Sequence, residues 1–186
     1  MSLFLLLIVH LFGYAFAAPS LPAAGAGYLV NSAKFSVDST KVSPPNAVAT
    51  IEPRLGAPGY SWLRIWFYSS PLKPADLASL IHGDTNVMNK TPLNQWQAAL
   101  QLSVDKDFKV WQVDMAIPGH TCTIMESDQD FQKLVQAYQY VNKHLTLKSK
   151  GAHVCDFSLI KIPNQTFTWD VDLSMPVFSE SASKRN

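Results

Sequence analysis

The chain predicts a β-rich domain, all-β or α+β. The expected form is a single antiparallel β-sandwich or a strongly curved sheet of about eight or nine strands, with one long and one short helix packed on it. Three observations lead there. Apolar and polar residues alternate along most of residues 28–178, most cleanly where Phe167, Trp169, Val171 and Leu173 interleave with Thr166, Thr168, Asp170 and Asp172. The only two cysteines, Cys122 and Cys155, each stand two residues after a histidine, in His120-Thr121-Cys122 and His153-Val154-Cys155. Between them, Phe131, Leu134, Val135, Tyr138 and Val141 fall on one helical stripe.

Residues 1–17 read as a signal peptide, an apolar run closed by Ala15-Phe16-Ala17. The run falls short of the roughly 20 residues a spanning helix needs, so no stable membrane span is expected after cleavage. Residues 18–27, rich in Ala, Pro and Gly, form a flexible leader. Residues 28–178 are one domain, and residues 179–186 a polar tail. The protein is therefore expected outside the cytoplasm, periplasmic or extracellular. An apolar content of 47% is that of a globular domain, and a net charge of +1 favours neither nucleic acid nor an anionic membrane as partner.

Within the domain, residues 28–38 and 47–54 are candidate strands separated by Ser43-Pro44-Pro45-Asn46. Residues 61–69 put Leu63, Ile65 and Phe67 on one face of a strand. Trp62, Arg64, Trp66 and Tyr68 stand on the other and are the candidate ligand-binding residues. The ordinary role of Arg64 is to stack on Trp62 or Trp66. The functional alternative is to anchor an anionic or sugar ligand. Pro74 and Asp76 open a short helix with Leu77, Leu80 and Ile81 on one face, capped by Gly83. Asn89-Lys90-Thr91 and Asn164-Gln165-Thr166 are N-glycosylation sequons.

Residues 94–104 and 108–116 read as a hairpin around Asp105-Lys106-Asp107, with Asp114 facing water. Pro118-Gly119 turns the chain into a strand carrying His120, Cys122 and Ile124. Ser127 as N-cap, with Asp130 three residues on, starts the long helix. Residues 145–150 and 153–162 are two strands meeting at Gly151, and Lys143, Lys148 and Lys150 form a solvated basic face.

In an oxidising compartment the two cysteines are expected to pair. Such a disulfide closes a loop of roughly 34 residues and contributes about 3.5–4 kcal/mol on the chain-entropy model. The alternative is a metal site from His120, Cys122, His153 and Cys155, since residues i and i+2 of a strand share a face. Its spacing departs from the paired cysteines of structural zinc sites. Asp170 and Asp172 share a face and admit a carboxylate-pair hydrolase; the ordinary reading is a negatively charged sheet edge. No G-x-S-x-G, H-E-x-x-H, phosphate-binding loop or dinucleotide fingerprint is present. The sequence therefore points to a non-catalytic binding or interaction module with a carbohydrate or protein partner, no cofactor, and no assigned catalytic residue.

Overall fold

The computed structural model describes residues 28–29, 32–84, 96–156 and 163–179. The signal pattern, the leader, the tail beyond Ser179 and the Asn89 sequon lie outside the described residues. The elements in chain order are β1 (Tyr28–Leu29), β2 (Ser32–Val37), β3 (Thr40–Val42), β4 (Asn46–Pro53), β5 (Ser61–Tyr68), α1 (Pro74–Ile81), β6 (Trp96–Val104), β7 (Val110–Ile117), β8 (His120–Met125), α2 (Phe131–Val135), β9 (Ala137–Val141), β10 (His144–Cys155) and β11 (Gln165–Ser179). Among the described residues, no helix is long and apolar enough to cross a membrane.

The β-rich expectation holds, but the sheet is mixed and curls into an open half-barrel in place of an antiparallel sandwich. The cause is β11. Along one edge it pairs antiparallel with β10 from Gln165 to Pro176. Along the other it pairs antiparallel with β2 from Phe167 to Asp172, then parallel with β4 from Val177 to Ser179. Pro176, which has no N–H to donate, sits at the changeover. The next amide, of Val177, donates to the Lys143 carbonyl at 2.8 Å. From β4 an antiparallel run continues through β5, β6 and β7 to β8.

The alternation in β11 runs further than the sequence suggested. Phe167, Trp169, Val171, Leu173, Met175 and Val177 are all buried in one core. Leu63, Ile65 and Phe67 of β5 face them from the other arm, and Phe67 meets Phe35 edge to face at 4.9 Å. The short connections carry the chemistry their residues dictate. Pro118-Gly119, with Gly119 at φ 87°, makes a two-residue turn between β7 and β8. In the β6–β7 loop, Asp105 Oδ1 accepts from the Asp107 and Lys109 amides, both at 2.9 Å, as expected of a solvated turn.

The long helix is not formed. Only Phe131–Val135 is helical, with Asp130 as N-cap in place of Ser127, so both helices are short. Ala137–Val141 is a strand, paired with β10. Tyr138, Tyr140 and Val141 favour strands, and Asn142 and Lys143 adopt φ values of 52° and 59°, which gives the primed two-residue turn that fits a hairpin. Gly151 does not break the chain into two strands: β10 runs straight through it. An alanine Cβ there would lie 2.5 Å from Trp169 Cζ2. The glycine is the space into which that indole fits. Residues 157–162 of the second predicted strand lie outside the described residues.

Helix α1 begins at Pro74 as expected, and Leu77 and Leu80 are buried, while Ile81 is exposed. It covers one end of the outer face of the β4–β5 arm, making a second apolar cluster with Val48, Tyr68, Leu72 and Phe178. The Cys122–Cys155 disulfide, with Cα atoms 5.8 Å apart, joins β8 to the end of β10. It therefore ties the last strand of one arm to the other arm across the opening of the curl.

Candidate functional site

Strand β5 presents Trp62, Arg64 and Trp66, all half-buried, on the outer face of its sheet, opposite the core. Tyr68 is buried within the α1 cluster. Burial there, with Asp76 adding to it, raises the Tyr68 phenol well above its usual pKa. Arg64 stacks on Trp62, its Cζ 4.8 Å from the ring centre, while Arg54 stands over Trp62 and Trp111 at 5.9 and 5.4 Å.

Register then builds two parallel rows across the outer face. The first is Trp66, Ala99, Ala116 and Thr121, successive cross-strand partners on β5, β6, β7 and β8. The second, one pleat along, is Arg64, Gln101, Asp114 and Thr123. The polar row is closed by hydrogen bonds. Arg64 Nε donates to Gln101 Oε1 at 2.8 Å, and Arg64 Nη1 pairs with Glu52 at 3.1 Å. Gln101 Nε2 donates to Asp114 Oδ2 at 3.1 Å, and Thr123 Oγ1 to Asp114 Oδ1 at 2.6 Å. Gln112 Nε2 adds 3.0 Å contacts to both Asp114 oxygens. Asp114, expected to face water, stands partly exposed on this outer face and is the acceptor that orders three donors.

The two rows make a groove. Ala99 and Ala116 carry too little side chain to fill the space between the aromatic wall and the polar row. The result is an open hollow of about 450 Å³. Trp66 and Trp96 form the wall, edge to face at 6.1 Å. Both indole N–H groups are buried with no acceptor among the described residues. Of the four candidate ligand residues, Arg64 and Trp66 line this groove. Trp62 lies under Arg64, and Tyr68 belongs to the α1 cluster. Trp96, Gln101 and Thr121 went unnoticed as site residues, because only register brings them to β5.

The four residues weighed for a metal do not gather as a set of four. Cys122, His153 and Cys155 have ligand atoms within 4.8 Å of one another. The His120 ring instead meets Gln165 Oε1 at 3.1 Å. Both sulfurs are joined in the disulfide. His153 Nδ1 lies 3.4 Å from Asp130 Oδ2, and Lys133 Nζ lies 2.8 Å from Asp130 Oδ1. The hydrogen bond from Lys133, and then that from His153, hold the Asp130 carboxyl below its usual pKa.

Asp170 and Asp172 do share a face, but on a strand paired along both edges. Each carboxylate meets a lysine across the β10–β11 ladder, Lys150 with Asp170 and Lys148 with Asp172, both at 3.1 Å. They form a cross-strand charge ladder, and the predicted negative sheet edge is not present there. Asn164 of the second sequon is exposed just ahead of β11. Compared with protein-family models, curated proteins and solved structures, the chain matches none.

Proposed function

We propose that this is an exported, non-catalytic binding module that holds an uncharged, hydroxyl-rich ring, a sugar unit of a glycan, in the groove over Ala99 and Ala116. The observation that carries this reading is the pairing of a flat alanine floor and a tryptophan wall with a polar row already ordered by hydrogen bonds. Sugar rings offer apolar faces to aromatic side chains and hydroxyls that both donate and accept. Asp114 and Gln101 provide acceptors; Arg64 and Gln101 provide donors. A preorganised row loses little freedom on binding.

Asp114 is the one carboxylate lining the groove among the described residues. Glycoside hydrolysis needs two, which supports binding over turnover. The signal pattern in residues 1–17 and the disulfide support export to an oxidising compartment.

The test is titration with neutral mono- and oligosaccharides, read by tryptophan fluorescence and calorimetry. At least one should bind and shift the indole emission. Ala116→Phe, which fills the outward-facing floor, should lower affinity at least tenfold while leaving the thermal midpoint within a few degrees. If no saccharide binds at millimolar concentration, or if the floor variant binds as well as the parent, the assignment fails.

A further inference from the structure

We infer that the reduced protein binds one zinc ion through Cys122, Cys155 and His153, so that the metal replaces the disulfide as the tie between β8 and β10. Both cysteines are buried, and His153 is largely so, its side chain 16% exposed. The three ligand atoms already lie within 4.8 Å of one another. A tetrahedral zinc with sulfurs at about 2.3 Å needs them roughly 3.8 Å apart. The Cα atoms stand 5.8 Å apart, and rotation about the cysteine side-chain bonds is the movement by which the freed sulfurs would separate to that distance.

The chain geometry explains why these three meet. His153 and Cys155 are i and i+2 on β10, so they share its inward face, and β8 brings Cys122 against them. Asp130 supplies the outer support that metal-bound histidines require. It accepts from the Nδ1 side of the ring and is itself fixed by Lys133. With the proton held at Nδ1, the lone pair is on Nε2. His120 is left out because, among the described residues, the ligand atoms that come within 4.8 Å of one another are those of Cys122, His153 and Cys155. Three protein ligands leave the fourth position to water.

The chemistry balances with a reductant of the dithiol class. The dithiol gives two electrons to the Cys122–Cys155 bond and becomes a disulfide itself, leaving two protein thiols. Zinc then binds both sulfurs as thiolates, and the two thiol protons pass to solvent.

The experiment uses the whole chain, oxidised and reduced, under anaerobic conditions. Zn²⁺ is followed by calorimetry and Co²⁺ by absorption. Reduced protein should take up one metal per chain and show the near-ultraviolet thiolate-to-cobalt band; oxidised protein should show neither. His153→Ala should weaken zinc binding at least a hundredfold and Asp130→Asn about tenfold or more. His120→Ala should leave it unchanged. Equal binding by the oxidised protein would mark an adventitious surface site and overturn the proposal. So would a reduced chain without the thiolate band, including one that unfolds and takes up no metal, and so would binding indifferent to His153.

Discussion

Replacing Gly151 by alanine tests whether one missing side chain lets β10 run unbroken beside β11. The new Cβ would stand 2.5 Å from Trp169 Cζ2 and 3.0 Å from Cε2 and Cη2. Carbon atoms rest at about 3.5–4.0 Å, so the indole must retreat by about 1 Å. It has little room to do so, being 3% exposed and packed in the main core. The ring is also the first link of a buried chain. Trp169 Nε1 donates to Ser149 Oγ at 2.8 Å, and Ser149 Oγ donates to the Lys133 carbonyl at 3.1 Å. That chain pins the end of α2 to β10. Overpacking costs about 1–3 kcal/mol, and weakening the indole hydrogen bond about 1 kcal/mol more. The lower backbone entropy of alanine returns about 0.5–1 kcal/mol. The expected net loss is about 1–3 kcal/mol, a fall in urea midpoint of roughly 0.5–1.5 M at a slope of about 2 kcal/mol/M. The decisive assay is a double-mutant cycle with Trp169→Phe. With the smaller ring in place, Gly151→Ala should cost under about 0.5 kcal/mol. A neutral Gly151→Ala in the parent, or an equal loss in both backgrounds, would refute the close-contact argument.

Two further perturbations address the stability of the curl. Replacing both cysteines by serine should lower unfolding stability by about 3–4 kcal/mol, the chain-entropy value for a sequence separation of 33 residues, seen as an earlier denaturant midpoint. Tyr138 has a buried hydroxyl with no partner among the described residues. Tyr138→Phe should therefore leave neutral-pH stability unchanged or raise it by up to about 1 kcal/mol in thermal or urea unfolding. The same burial raises the phenol pKa values of Tyr68, Tyr138 and Tyr140 above the ordinary value of 10.0. The unfolded chain then releases protons that the fold retains. Stability should hold below about pH 10 and fall above it, less steeply in Tyr138→Phe.

What the sequence disclosed, and what it hid, follows from the range of the interactions. The period-two pattern of Phe167 to Leu173 was plain because each residue reports its own burial, and the Cys122–Cys155 pairing followed from there being two cysteines in all. The stripe from Phe131 to Val141 misled because Tyr138 and Val141 fit a helical spacing and also a short strand. The arbiter was pairing with β10, together with the left-handed turn at Asn142 and Lys143. Apolar spacing alone does not register that contest.

The groove was hidden more deeply. Arg64 and Trp66 stood out because they are large and lie close together in the chain. Ala99 and Ala116 give the space, Gln101 and Asp114 give the polarity, and none of the four is unusual where it stands in the sequence. Their meaning comes from register: Arg64 opposite Gln101, Gln101 opposite Asp114, Trp66 opposite Ala99, Ala99 opposite Ala116. Had β6 slipped by one residue against β5, Leu100 or Leu102 would face outward and Gln101 would enter the core, which the apolar face forbids. The packing of Leu100 and Leu102 inside therefore fixes the polar row outside. The same burial that holds the half-barrel together positions the residues proposed to bind, so a core substitution on β6 should disturb the groove without touching it.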